Sequence, residues 1–125
     1  MRRLTVGVCA GVLVLPISAA LAQGDPEKGE KVFNKCKTCH VADEEKNKIG
    51  PTLMGIFGRQ AGSVEGFKYS DAMKESGITW DEATIDEYIA NPKKIVPKGK
   101  MAFAGLTKEQ DRADLIAYLK EVTAN

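Results

Sequence analysis

The chain has 125 residues, a length that suits one compact domain rather than several. Its 18 basic and 17 acidic side chains nearly cancel, and this balance argues against a general nucleic-acid-binding protein. The sequence contains three cysteines and one histidine, and most of these side chains fall in one short motif.

Residues 1–22 have the layout of a secretory signal peptide. Two arginines precede an apolar run over about residues 4–17, and the small-residue sequence ALA that follows suits signal-peptidase cleavage. The run is short for a membrane span of about 20 residues, and Pro16 interrupts it. We therefore expect cleavage after Ala22 and a mature domain of residues 23–125 without a membrane span. That domain loses two basic and no acidic residues, so its formal net charge becomes −1.

The first predicted elements are a helix, a long loop region and a second, short helix. Asp25-Pro26-Glu27 combines an N-cap residue, a proline at the first helical position and an acid, so a helix should begin there and run into Cys36. Residues 41–69 are rich in glycine and lysine without a sustained period, which predicts loops with at most one helical turn. Ser70 is predicted to cap a short helix that is ended by Gly77.

Two later helices have clearer signals. Thr79-Trp80-Asp81-Glu82 has a capping-box pattern and predicts a helix that stops at Asn91-Pro92. Thr107-Lys108-Glu109-Gln110 repeats the pattern, and the apolar residues after it recur with the helical period of 3.6. Between these helices, residues 91–106 contain two prolines and two glycines and are predicted to be irregular. Because no alternating strand pattern appears, we predict an all-α domain of about three to five helices with long loops.

Residues 36–40 have the sequence CKTCH and gather Cys36, Cys39 and the single histidine, His40, within five positions. The remaining cysteine, Cys9, lies in the predicted leader. On a helix, positions i, i+3 and i+4 share a face, so the three side chains should point to one side together. Four chemistries compete for such a group, namely structural zinc, a thioredoxin-like redox pair, a plain disulfide and covalent haem attachment.

Three of these chemistries fit poorly. Structural zinc normally takes four ligands, and the mature chain has no fourth cysteine or histidine. A redox pair of this kind accompanies a β-α-β pattern, and a disulfide that closes a four-residue loop would stabilise little. Haem attachment is the chemistry typical of C-x-x-C-H, and it agrees with a secretory leader. The two thiols would form thioethers with the haem vinyl groups, and His40 would be the proximal iron ligand.

The second axial ligand decides between electron transfer and small-molecule chemistry. Since there is no second histidine, the candidates in the mature chain are Met54, Met73 and Met101. Met54 follows His40 by only 14 positions, and Met73 lies in a short predicted helix, where core packing is the simpler interpretation. Met101 lies 61 positions after His40 in a loop that could fold over the far face of a haem. The residues favour Met101 and leave the other two open.

Five segments of the chain follow one another at family-like spacing, namely GEKVFNKCKTCH, GPTLMGIFGR, GFKYSDAMKESGITW, YIANPKKIVPKGKMAFAGL and DLIAYLK. On these segments the chain resembles the class I cytochromes c over nearly all of residues 25–122. The likeness is to short bacterial cytochromes c2 close to mitochondrial cytochrome c. It implies the small class I fold, wrapped around one covalently bound haem c, and an electron carrier rather than an enzyme.

The resemblance also implies roles for single residues. His40 and Met101 are implied as the axial ligands, and Cys36 and Cys39 as the thioether attachment. The carbonyl of Pro51 is implied to accept the ring N–H of His40, a bond that fixes the tautomer of a metal ligand.

Five further side chains are implied to form the haem pocket, although ordinary packing or surface roles would otherwise explain them. Tyr69 and Trp80 are implied to hydrogen-bond a haem propionate, with Arg59 near it. Tyr88 is implied to reach the ligand sulfur, and Phe103 to lie beside the exposed haem edge. Two neighbouring positions depart from the family pattern: Gly99 replaces a frequent threonine, and Met73 replaces a common asparagine. We expect both to affect the redox potential, because hydrogen bonding and burial around the ligands tune it.

The clustering of lysines in the sequence predicts the kind of partner that the protein docks to. Two clusters, one around the ligand loop and one flanking the attachment site, converge on one face if the implied fold is right: Lys93, Lys94, Lys98, Lys100, Lys35 and Lys37. Such a face would steer a periplasmic monomer to transient docking with acidic membrane complexes. Suitable complexes are a bc1-type reductase and a terminal oxidase or photosynthetic reaction centre.

The rival function is an enzyme or gas binder with an open sixth position. The cytochrome c′ type places its haem motif near the C-terminus of a four-helix bundle. Here the motif lies near the N-terminus of the predicted domain, which weighs against that type.

Overall fold

The computed structural model describes residues 7–8, 10–13 and 23–124. In these residues the chain forms five helices: α1 (Pro26–Phe33), α2 (Asp71–Glu75), α3 (Glu82–Ala90), α4 (Pro92–Ile95) and α5 (Glu109–Val122). The described part contains no strand, only an isolated antiparallel bridge between Gln60 and Thr79. The prediction of an all-α domain with three to five helices is confirmed. Asn125 and most of the predicted leader, including its cleavage site at Ala22, lie outside the described residues.

No helix of the described residues has both the length and the apolar character needed to cross a bilayer. The main helix contact is the crossing of α1 and α5. Gly29 is buried at this crossing, and a Cβ there would overlap the backbone carbonyl of Asp114 on α5. Phe33 and Tyr118 add an aromatic contact, with ring centroids 5.4 Å apart. Because Gly29 has no side chain, the backbones of α1 and α5 approach more closely than they could with a larger residue at this position.

A buried carboxylate ties the start of α1 to α5. Asp114 is 3% exposed, and its Oδ1 accepts from the backbone N–H of Asp25 at 2.8 Å and from Nε2 of Gln110 at 2.9 Å. Asp25 in turn is the N-cap of α1, because its side chain accepts from the N–H groups of Glu27 and Lys28. The N-cap predicted at Asp25 is therefore confirmed, and it is fixed from both sides.

Three helix boundaries differ from the sequence predictions. α1 ends at Phe33 rather than at Cys36, and hydrogen-bonded turns continue to residue 39. α3 is capped by Asp81 rather than Thr79, since Asp81 and Thr84 exchange side-chain to backbone hydrogen bonds of 2.8 and 2.9 Å. α5 has Lys108 as its N-cap residue and no side-chain cap, so the box predicted from Thr107 does not form.

The two shortest helices, α2 and α4, lie between the longer helices in the chain. Ser70 caps α2 as predicted, by accepting from the N–H of Met73, and Gly77 follows with a φ of +69°. α4 was not predicted, because residues 91–106 were expected to be irregular. Asn91 explains it: its side chain accepts from the N–H of Lys94, and Pro92 occupies the first helical position.

The core consists of two clusters. One is built on Trp80, Tyr88 and Val96, with Met101 packed against it. The other is built on Phe33, Leu115 and Leu119, with Cys36 packed against it. Leu53, Phe57 and Ile89 contact both clusters. A large cavity opens between residues of the two clusters, so the core of this small domain is completed by whatever fills that space.

Candidate functional site

The cavity has a volume of about 590 Å³. Its lining includes every residue predicted to bind the cofactor or to ligate its iron, namely Cys36, Cys39, His40, Pro51, Arg59, Tyr69, Trp80, Tyr88, Met101 and Phe103. These residues come from the turn after α1, from three loops and from α3. The structure thus brings together side chains that are up to 67 positions apart in the sequence.

The CKTCH motif forms one wall. His40 and Cys39 both donate their backbone N–H to the carbonyl of Cys36, at 2.9 and 3.1 Å, so the motif is a helical turn. Both cysteines are free thiols here and line the cavity. Burial raises the pKa of the Cys36 thiol to about 11, with a further rise from Cys39 and an opposing effect of Lys35.

The arrangement of the possible ligand side chains also argues against a structural zinc site. Among the described residues, no group of three or more histidine, cysteine, aspartate and glutamate side chains is placed to hold a metal ion. A haem iron needs fewer protein donors, because the macrocycle supplies the remainder.

His40 is held in one tautomer. Its Nδ1 lies 2.8 Å from the carbonyl oxygen of Pro51, and because a carbonyl only accepts, Nδ1 carries the proton. Nε2 is left with its lone pair, the form in which imidazole binds a metal. Burial lowers the pKa of His40, the Pro51 bond opposes that change, and the charge of Arg59 adds to it. Gly50 packs directly against the imidazole ring, since a Cβ at this position would overlap the ring atoms of His40.

Met101 lies on a different wall. It packs against the Trp80 cluster, whereas Cys36 packs against the Phe33 cluster. The hydroxyl of Tyr88 donates to Sδ of Met101 at 3.9 Å, a long bond to a weak acceptor. Tyr88 is 8% exposed, and burial raises its pKa, so the hydroxyl keeps its proton.

The structure distinguishes between the other two candidate methionine ligands. Met73 also lines the cavity, whereas Met54 is not part of the lining. The backbone carbonyl of Met54 instead accepts from Nη1 of Arg59 at 3.1 Å. The candidates for an axial thioether are thereby reduced from three to two, Met73 and Met101.

A polar end of the cavity is formed by Arg59 and Tyr69. Nε of Arg59 is buried and has no hydrogen-bond partner among the described residues. The Tyr69 hydroxyl accepts from the N–H of Val64 at 3.1 Å, and its own proton remains available. Since an unpaired buried donor is costly, this end of the cavity suits an acceptor group on the bound molecule. Carboxylates on an otherwise apolar macrocycle satisfy that requirement.

The rim of the cavity is positively charged. Of the lysines predicted to dock partners, Lys35 and Lys100 line it, whereas Lys37, Lys93, Lys94 and Lys98 are exposed but lie outside the lining. Two further lysines, Lys48 and Lys68, line the cavity and were missed, because the loops that carry them have no periodic pattern. No aspartate or glutamate of the described residues lines it.

The residues present fit a covalently attached haem. Two free thiols, an imidazole with a free Nε2, a thioether and a partly buried guanidinium converge on one largely apolar cavity. Sequence reasoning found each of these groups, because the CKTCH motif and the implied family pattern carry them. Of the four lysines that line the cavity, it found Lys35 and Lys100 and missed Lys48 and Lys68.

Comparison with known proteins agrees with this geometry. The family model for cytochrome c matches residues 26–123. Over 120 residues the chain is 52% identical to a cytochrome c2 of Rhodomicrobium vannielii, with 95% of each chain covered. It is 49% identical to a cytochrome c2 of Blastochloris viridis, with 100% of this chain and 97% of the relative covered. A cytochrome c-554 of Methylosinus trichosporium is 47% identical at the same coverage.

Proposed function

The chain belongs to the cytochrome c family, and on that premise we propose that it carries single electrons with His40 and Met101 as the axial ligands of its iron. The predicted resemblance to class I cytochromes c2 and the predicted fold are confirmed. As a member of the family, the protein carries one covalently attached haem c and is an electron carrier, not an enzyme. When bound, the haem supplies the one-electron couple between Fe(II) and Fe(III).

The observation that carries the proposal is the hydrogen bond between Nδ1 of His40 and the carbonyl oxygen of Pro51. Because Nδ1 donates to Pro51, Nε2 is available to the metal, and the bond makes the imidazole more basic and fixes its plane. Cys36 and Cys39 lie on the same turn and would hold the porphyrin against this ring through thioether bonds.

Met101 supports electron transfer in a second way. A thioether ligand favours the reduced metal and raises the potential. The Tyr88 hydroxyl directs a proton at this sulfur and keeps it oriented. If His40 and Met101 held the iron in both oxidation states, little rearrangement would accompany each electron.

The finer parts of the proposal concern place and partners. Residues 1–22 are proposed to be a signal peptide cleaved after Ala22, which delivers the domain of residues 23–125 to the periplasm. The basic rim supports docking to acidic surfaces of membrane complexes, a bc1-type reductase on one side and a terminal oxidase or photosynthetic reaction centre on the other. Charge of one sign around the opening would steer these encounters.

The three methionines provide the test. In Met101→Leu haem protein we expect the near-infrared sulfur-to-iron charge-transfer band of the oxidised form to disappear and carbon monoxide to bind the reduced form readily. Met54→Leu and Met73→Leu, which keep the side-chain volume nearly constant, should retain the band and exclude carbon monoxide. A band that survives in Met101→Leu but is lost in Met73→Leu would overturn the ligand assignment. Ready carbon monoxide binding by the wild type would favour a gas binder instead.

A further inference from the structure

The peptide unit between Pro51 and Thr52 carries a hydrogen bond on each of its two sides. Its carbonyl, from Pro51, accepts from Nδ1 of His40 at 2.8 Å. Its N–H, from Thr52, donates to Oδ1 of Asn47 at 3.0 Å. Because a peptide unit is planar and rigid, the Asn47 amide, this peptide and the His40 ring form one continuous hydrogen-bond chain.

The side-chain amide of Asn47 is fixed in the orientation that this hydrogen-bond chain needs. Its Nδ2 donates to the backbone carbonyl of Glu65 at 3.3 Å, which ties it to a second loop. An N–H only donates and a carbonyl only accepts, so Thr52 must face the amide oxygen and Glu65 the amide nitrogen. A flipped amide would satisfy neither partner. Asn47 is also partly buried and lines the large cavity, so its amide lies in a sheltered position.

The hydroxyl of Thr52 holds the same loop in a different way. Thr52 is 6% exposed, and its Oγ1 donates to the carbonyl of Glu44 and accepts from the N–H of Met54 at 3.1 Å. These bonds involve neither the carbonyl nor the N–H of the peptide between Pro51 and Thr52. The position of the loop can therefore be disturbed without removal of the hydrogen-bond chain.

We propose that Asn47 is a positioning residue for His40 and tunes the iron through the intervening peptide. Hydrogen bonds in a chain polarise one another, so Asn47 makes the Pro51 carbonyl a stronger acceptor by accepting from the N–H of Thr52. A stronger bond to Nδ1 makes the imidazole a stronger electron donor, which favours Fe(III) and lowers the redox potential. The inference rests on the proposed ligation by His40 and adds a residue that acts on this ligand through the backbone.

The test compares Asn47→Leu with Thr52→Val in isotope-labelled haem protein. The first change removes the acceptor at similar volume, and the second removes the hydroxyl and keeps the N–H bond to Asn47. For Asn47→Leu we expect the Nδ1 proton of His40 in the reduced protein to shift upfield and the redox potential to rise, because the bond to Pro51 weakens. Thr52→Val should lose stability in urea, since its hydroxyl bonds are lost, and keep both readouts near the wild-type values.

A second variant, Asn47→Asp, keeps the test independent of whether Asn47→Leu folds. It retains an oxygen that accepts from the N–H of Thr52, and a carboxylate is a stronger acceptor than an amide. The Nδ1 proton of His40 should therefore shift downfield, in the direction opposite to that of Asn47→Leu.

The possible failures separate this inference from the proposed ligation. Nδ1 proton shifts that match the wild type in both Asn47 variants would overturn the role of Asn47 and leave ligation by His40 intact. Equal changes in Asn47→Leu and Thr52→Val would assign the effect to the position of the loop instead of the hydrogen-bond chain. If the His40 ring protons of the reduced wild type lacked the upfield shift of a group that lies over a porphyrin face, the proposed ligation itself would be wrong.

Discussion

At the scale of single residues, two hydrogen bonds orient the side chains that we propose as iron ligands. The bond from His40 to Pro51 leaves Nε2 as the nitrogen that would bind iron, and the bond from Tyr88 to Met101 would act on the proposed ligand sulfur. The first bond joins residues 11 positions apart. The second bond, over 13 positions, joins α3 to the loop that carries Met101. Both could be predicted, because the family pattern fixes the residue types.

Removal of the Tyr88 hydroxyl should lower the redox potential. A hydroxyl that donates to the sulfur withdraws electron density from the thioether and so favours the reduced iron. If the weak bond contributes about 0.5 kcal/mol, Tyr88→Phe should lower the potential by roughly 20 mV for one electron. Tyr118→Phe is the matched control, because that ring contacts Phe33 away from the ligand. Equal potentials for wild type and Tyr88→Phe would show that the 3.9 Å contact has no effect on the sulfur.

At the scale of elements, the crossing of α1 and α5 sets the wall that carries the CKTCH turn. Gly29 permits the crossing. Phe33, at the end of α1, packs in the core, and its carbonyl accepts a hydrogen bond from the N–H of Cys36 in the following turn. A change in the distance between these helices would therefore shift the thiols relative to the cavity.

Gly29→Ala should destabilise the protein by about 1–3 kcal/mol, because the added methyl group overlaps the backbone of Asp114. Lys28→Ala is the control on the same helix, with an exposed side chain and a better helix-forming replacement. Urea denaturation of the haem proteins measures both. If Gly29→Ala were as stable as Lys28→Ala, the two helices would have room that the structure does not show.

The helix boundaries show where sequence reasoning was insufficient. Two overlapping patterns, one starting at Thr79 and one at Asp81, each suit a helix cap, and only the fold selects Asp81. The helix α4 follows from Asn91-Pro92, which was interpreted only as the end of α3. Both errors concern which of several neighbouring residues caps a helix, a choice that the sequence pattern alone leaves open.

At the scale of the whole molecule, the proposed docking depends on how loops without a regular pattern place their charges around one opening. The sequence placed six lysines near the site, yet only Lys35 and Lys100 line the cavity, and Lys48 and Lys68 join them. Lys48 and Lys68 belong to residues 41–69, a loop region whose conformation no periodicity in the sequence encodes. The chemistry of the site could thus be predicted, whereas the shape of its rim could not.

Charge on the rim should govern association at low salt. Lys100→Gln should slow reduction by a bc1-type complex roughly two- to fivefold at low ionic strength, with convergence to the wild-type rate at high salt. Lys94→Gln should have a smaller effect, because Lys94 lies outside the cavity lining. Lys108→Gln, at the start of α5, is the control for a change of one charge outside this lining. Salt slopes that are equal for all four proteins would contradict a docking role for the rim.

The central claim is that His40 and Met101 hold the iron in both oxidation states of a one-electron carrier. A spectroelectrochemical titration of the wild-type haem protein tests it most directly. We predict a single one-electron transition that is fully reversible, with the charge-transfer band of the methionine sulfur present in every oxidised spectrum. A transition with hysteresis, or an oxidised form that lacks this band from the start, would contradict the claim.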